Sequence, residues 1–442
     1  MTENAHPTRR DLLGAAGTAV AAALSGCGGL LGPDPVELDG TAVAEVGSRE
    51  APTVAKPLPV DIADGHVTAS RKRAESALES VPLPLSTGEI PNGVVRERLA
   101  RKAEYARENL DGASDVPGVR ERMDELRHAR EHARYVAAAW AFTREAVTAA
   151  DVRERAATVR ADARAFREAW EYVGEDPVRA LLVHEAVEAW TGVARRRAAL
   201  DRRGSSRWGL DSALGVGERA GEVEYARAHL VDATHVGDRF TASLSDPPSV
   251  RETLVAARES LGDAIAARRE NMPDGEIREP NELVDVDRDL SRTSAGEALE
   301  DLHWRTPVDP ETTDDLADDV LDRARGLAHA EAFLALRDRV RDGEVFTVGN
   351  AEELSARRAV AHESFESVPR ETAEPRLARR LLADRASWFP DVDRELRRYE
   401  DADAVEARSL AYETGRYVEL AAFARAVPDA VAATLDALGV EG

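Results

Sequence analysis

The sequence predicts an all-α protein built from antiparallel helix pairs, packed as a helical bundle or short repeat array with two helical bodies. Three observations carry that expectation. Hydrophobic residues make up 43% of the 442-residue chain but aromatic ones only 5%, and the apolar share is largely Ala, Leu and Val. Strands favour aromatic and β-branched side chains, whereas small and unbranched ones suit closely packed helices. Apolar residues also recur every three to four positions in long stretches bounded by Asp, Asn, Gly and Pro. Finally, no strand–helix–strand alternation occurs, and the one strand-like fragment of the body is GEVFTVGN, 343–350.

The first element is an address. Arg9 and Arg10 precede an apolar run from Leu12 to Leu24, which ends in Ser25, Gly26 and Cys27. A membrane span needs roughly 20 apolar residues, so the run has the length of a signal segment. Cys27 is the only cysteine, which excludes an intramolecular disulfide. The arginine pair and mild apolar run resemble a twin-arginine (Tat) export signal, and Leu24-Ser25-Gly26-Cys27 is similar to a lipobox. The resemblance implies export of the folded chain by the Tat translocase, cleavage before Cys27, and a two-chain lipid on that residue. Two chains hold a protein at a membrane stably where one does so only marginally. The expected location is therefore the outer face of the cell membrane, with residues 1–27 as signal and lipidation site.

Residues 28–65, with prolines at 33, 35, 52, 57 and 59, lack periodicity and are expected to form a tether. Helices are then expected over 66–81, 94–110 and from Pro117 to about 150. The next runs from Asp151 to Val173, where Gly174 supplies a left-handed stop, Asp176 a cap and Pro177 a first turn. Further helices are expected over 177–201, 212–244, 248–271, 310–342, 350–367, 374–388 and 401–437. The segment 271–289 divides a helical domain, 66–271, from a second, 290–442. AEYARENLDGA (103–113) echoes VEYARAHLVDA (223–233), and 117–133 echoes 248–264, as duplicated helix pairs would.

The chain carries 83 acidic and 59 basic residues, a formal charge of −24, and its only lysines are Lys56, Lys72 and Lys102. Such charge self-repels unless salt screens it, and it argues against nucleic acid as a partner, since duplex binding neutralises phosphates. Acidic, lysine-poor composition behind a Tat signal and lipobox resembles haloarchaeal surface lipoproteins. That resemblance leaves the membrane, and a surface protein or ligand, as the expected partners.

Three histidine patterns are candidates for chemistry. His128-Ala129-Arg130-Glu131-His132 spells H-x-x-E-H, a zinc-protease string in which two histidines on one helix face bind metal. On a helical wheel, however, His128 and His132 fall about 200° and 240° from Leu126, and Glu131 about 140°, away from the apolar stripe. Glu125-x-x-His128 has the spacing of di-iron bundles, with only Asp232-x-x-His235 as a weaker second copy. His184 and Glu188 border the apolar side of their helix, where an acid–base pair or metal ligands would sit and a hydrogen-bonded core histidine is commoner. The latter pair resembles the histidine–glutamate motif of imelysin-type helical lipoproteins without the glycine before the histidine. Trp170, Trp190, Trp208, Trp304 and Trp388 suit either a core or a ligand groove. No Walker loop, dinucleotide-binding glycine motif, G-x-S-x-G or C-x-x-C is present, and no cofactor is named by the sequence. The expected role is non-catalytic binding or scaffolding, with a metal-handling bundle or metalloenzyme as its rival.

Overall fold

Helix caps written in the sequence set most of the architecture. The structure, a computed structural model, describes residues 36–199, 208–209, 211–275, 277–308 and 312–440; the export signal, lipobox and Cys27 lie outside them. After a two-residue strand β1 (Glu37–Leu38) come α1 (Gly40–Val46), α2 (Asp64–Glu79), α3 (Gly93–Gly112) and α4 (Val119–Thr143). Then follow α5 (Ala149–Ala169), α6 (Pro177–Ala198) and α7 (Ala213–Ala242). The second half holds α8 (Arg251–Arg269), α9 (Ser294–Arg305), α10 (Leu316–Arg341), α11 (Ala351–Glu371), α12 (Pro375–Ala386), α13 (Phe389–Arg397), β2 (Val405–Glu406) and α14 (Ala411–Ala437). The fold is all-α. The only sheet among the described residues is the antiparallel pair of β1 with β2, in the register Leu38 to Val405.

Asn92 caps α3 by accepting from the Val94 and Val95 amides, Asp176 caps α6 ahead of Pro177, and Asn350 caps α11; each satisfies amides that the first turn leaves without intrahelical partners. The boundaries differ from expectation where local chemistry overrides periodicity. α4 ends at Thr143 and not near 150, because Glu145 turns left-handed at φ 59° and Thr148 with Asp151 forms a capping box that starts α5. α5 stops at Ala169, and the chain beyond it runs extended so that Val173 bridges Ser249. Gly174 is not left-handed. It serves close approach instead, since a Cβ there would lie 2.6 Å from that of Ala180. Residues 343–350 form no strand, 401–406 are not helical and Ala407–Leu410 form only a 3-10 turn ahead of α14, and α1, α9 and α13 fall where the sequence predicts no helix.

The domain plan also changes. From Glu37 onward the expected tether is packed: α1 lies on α11 and α13, with Val43 and Val46 buried. The break in packing falls at the turn before α8, not at 271–289, because α8 packs on α10 and α14. α3 and α4 form a tightly packed pair, while α8 turns away from α7 to pack on α10 and α14, so the two echoing segments do not build matching hairpins.

In the first half α4 is central, covered by α2, α3 and α7, and α5 and α6 complete the layer against α7. In the second, α14 is central, with α8, α9, α10 and α11 around it and Tyr417 and Phe423 fully buried. α6 packs on α10, so one apolar core runs from Leu181 and Val187 into Val320, Phe333 and Phe423. Residues 37–442 form one compact unit. No helix among the described residues is long and apolar enough to cross a membrane.

Candidate functional site

Arg120, Arg127 and Arg134 lie seven residues apart on α4, a spacing that keeps them on one face with a drift of about 20° per step. The first two are buried and paired. Arg120 donates to both carboxylate oxygens of Glu185 on α6 at 2.8 and 3.1 Å, and Arg127 donates to Asp232 on α7 at 2.7 Å. Both guanidiniums also stack over Trp190, at 5.6 and 4.9 Å. Beside this row, Arg130 donates to Glu224 on α7 through Nε and Nη2 at 2.9 and 2.7 Å. Arg134, the third member, makes no hydrogen bond or ion pair with any described residue. Instead it opens into a groove.

The groove has a volume of about 1000 Å³, with α7 as its floor and α2 and α5 as its walls. One end gathers cations: Arg73 of α2, Arg134 of α4, Arg155 of α5 and Arg227 of α7 line it. Glu224 is the carboxylate at this end, and it is already bound by Arg73 at 2.8 Å and by Arg130, with Arg227 4.0 Å away. Asp151, the nearby acid on α5, is engaged in the Thr148 capping box. Burial, and then Arg155, hold the Arg134 guanidinium below its ordinary pKa; burial and then Arg73 do the same to Arg227. This crowding of like charge disfavours the empty arrangement. Farther along, Val159, Leu230, Val231 and Phe166 supply apolar surface, and the far end carries His66, His235, Asp162 and Asp238. His66 and His235 stack with ring centroids 4.0 Å apart, and His66 Nε2 lies 2.7 Å from Asp232.

The histidine patterns fare differently. His128 lies 3.4 Å from Glu131 and 3.5 Å from the Tyr225 hydroxyl. His132 Nδ1 lies 3.2 Å from the Lys102 ammonium. This face, though away from the apolar stripe, is half-covered by α3 and α7. The hydrogen bond to Glu131 raises the His128 pKa, whereas burial and the Lys102 charge push His132 down to about 4. His128 and His132 thus face different partners, with the Lys102 ammonium at His132. Among the described residues no three His, Cys, Asp or Glu side chains group closely enough to hold a metal ion. Glu125, the acid of the E-x-x-H spacing, accepts from Asn109 at 2.7 Å.

His184 is fully buried and fully hydrogen-bonded: Trp170 Nε1 donates to its Nδ1 at 3.1 Å, and its Nε2 donates to the Val173 carbonyl at 2.9 Å. Burial lowers its pKa to about 4, which fits the neutral tautomer those bonds require. One turn on, Glu188 accepts from the Tyr172 hydroxyl and from the Ala317 and Asp318 amides at 3.2 and 2.8 Å. It therefore caps α10 from another helix, where Asp315 makes no side-chain cap of its own. Burial raises its pKa to about 7. Both meet Tyr172 in the segment after α5, and Glu188 alone also reaches α10. Of the tryptophans, Trp190 is core, Trp388 is stacked under Arg305, Arg385 and Arg416 at 4.0 to 4.5 Å, and Trp304 is exposed.

The fold and groove define a class, an all-α protein of two joined helical halves with a cationic cleft in the first. Residues 65–246 match the family described as Domain of unknown function (DUF8262), and residues 251–436 match Domain of unknown function (DUF8264). The gap between the two matches coincides with the turn before α8, where the packing also breaks. No curated protein and no solved structure matches the chain.

Proposed function

We propose that the chain is a lipid-anchored, extracytoplasmic binding protein, held at the outer face of the cell membrane through Cys27 and exported by the Tat route. Its task is to take up a ligand without transforming it. The observation that carries the binding role is the groove of α2, α5 and α7, which concentrates four arginines at one end in a chain of net charge −24. A pocket of this size with a few convergent polar groups on an apolar floor suits a small organic ligand. The anchor rests on Arg9, Arg10 and the Leu24-Ser25-Gly26-Cys27 string. Mass spectrometry of protein isolated from native membranes tests it. A mature N-terminus at Cys27 carrying lipid is expected, and Cys27→Ala should release the protein from the membrane. An intact starting methionine with an unmodified thiol overturns the anchor.

A further inference from the structure

The arginine row on α4 and the groove beside it point to the chemical class of the ligand. We infer that the groove binds an amphiphile with an oxyanion head, a phosphate, sulfonate or carboxylate, set among Arg134, Arg155 and Arg227. Its chain lies along Val159, Leu230 and Val231. The inference rests on the reading of the groove as a binding site and adds what occupies it.

Two patterns lead there. Along α4, Arg120 and Arg127 each find a carboxylate from a facing helix, Glu185 and Asp232. The next rung, Arg134, finds none among the described residues and faces the groove. Glu224 supplies one negative charge to a cluster of five guanidiniums, those of Arg73, Arg130, Arg134, Arg155 and Arg227. An oxyanion between Arg134 and Arg155 supplies the missing counter-charge, and guanidiniums suit it because they bind planar oxygen pairs bidentately. The second pattern is the floor. From Val223 to Val231 the helix rises about 12 Å, near the roughly 15 Å depth of one leaflet of bilayer hydrocarbon. Val231 is 36% exposed there, one of the large apolar side chains left in solvent among the described residues. Asp162 and Asp238 at the far end place the head at the arginine end and not the other.

Calorimetric titration of the full chain in its folding buffer, below micellar concentrations, tests this with three probes: dodecyl phosphate, dodecyl maltoside and inorganic phosphate. Dodecyl phosphate is expected to bind, more weakly as salt rises, with the neutral maltoside and free phosphate at least tenfold weaker. Arg155→Gln and Arg134→Gln should each lower affinity about 10- to 100-fold, and Thr158→Trp, which fills the middle of the groove, should abolish binding. The exposed position of Arg155 makes its variant safe for folding. Equal binding of the maltoside, still lost in Thr158→Trp, overturns the oxyanion head while leaving the groove as a binding site. Binding of free phosphate as tight as that of dodecyl phosphate removes the amphiphile. Binding indifferent to Thr158→Trp, or none of any probe, overturns both the inference and the reading beneath it.

Discussion

The two halves solve the same packing problem with different materials. The second is filled with apolar bulk: Phe333, Phe346, Phe365, Phe389, Tyr417 and Phe423 are buried around α14 in a continuous core. Buried ion pairs occur in it too, Arg358 with Asp393 and Arg385 with Glu419, whereas the outer part of the first combines such pairs with a divided apolar core. Its apolar residues fall into three small clusters, and α4 meets its neighbours through Arg120, Arg127 and Arg130, each buried against a carboxylate. Buried ion pairs give little net stability, because desolvation opposes the attraction, but they fix register. Small clusters separated by ionic pairs leave room between α2 and α5, and a full aromatic core does not. The groove is where the first half is under-filled.

The largest test concerns the seam. Glu185 is bound by Arg120 from the first half and by Arg380 from the second, the latter donating at 2.6 and 3.2 Å. Although burial opposes ionisation, the two arginines hold its carboxyl well below the usual range. Glu185→Ala leaves two buried guanidiniums without their shared partner and should destabilise by about 3–5 kcal/mol. Denaturant unfolding followed by a first-half and a second-half probe should show the two transitions still coincident in wild type. If they separate there already, the halves are independent domains and the shared core is not cooperative.

Next comes acid. His184 ties α6 to the Trp170–Val173 stretch of the first half, and Glu188 ties it both to Tyr172 of that stretch and to α10 of the second. His184, with its pKa lowered to about 4, contributes stability that is present above the unfolded value near 6.5 and lost as pH falls towards 4. Glu188, raised to about 7, contributes stability that is present below about 4.5 and lost as pH rises through 7. Each is worth up to about 3 kcal/mol. In wild type they offset each other between about pH 4.5 and 6.5. Glu188→Gln should unmask the histidine, so that stability falls on acidification across that window; His184→Gln should unmask the glutamate, so that it rises. Parallel pH profiles for the two variants would show that the groups are not titrating as assigned.

A smaller effect is expected at the N-terminal docking. A Cβ on Gly40 would lie 2.1 Å from the Ala402 carbonyl oxygen and 2.6 Å from that of Tyr399. Both are backbone atoms, which cannot swing aside. Gly40→Ala should cost about 1–3 kcal/mol and raise amide exchange in α1 and around Val405, with α4 and α7 unchanged. Exchange that is fast there in wild type would restore the picture of a loose tether.

Helix periodicity and caps were legible because they are local: Asp176-Pro177 and Asn350 act on amides two or three residues away. What the sequence hid is what depends on a neighbour in space. α13 is too short and α1 too apolar in context to show an amphipathic pattern of useful length, and each is stabilised by the other. Prolines at 52, 57 and 59 looked like a flexible tether, yet Leu58 and Val60 are buried. The wheel sets His128 and His132 off the apolar stripe, but it does not show that α3 and α7 cover that side too. The arginine row at 120, 127 and 134 was in plain view with a seven-residue period. Its meaning depended on where Glu185, Asp232 and Glu224 arrive, 65 to 105 positions from the arginines they bind.

The smallest expected effect separates the two kinds of arginine in that row. Arg127 and Arg134 share a helix face and a residue type and differ in whether a carboxylate meets them. Arg127→Gln strands Asp232 in a buried site beside His66 and should cost several kcal/mol, on the order of 3–5. Arg134→Gln removes a charge that burial and Arg155 already disfavour, and it should change stability by no more than about 0.5 kcal/mol, with a slight gain at low salt, where repulsion from Arg155 is least screened. Thermal melts of both variants at two salt concentrations check this. A large loss in Arg134→Gln would mean that the third rung supports the fold as the first two do, and the contrast between a closed half and an open one would then rest on cavity shape alone.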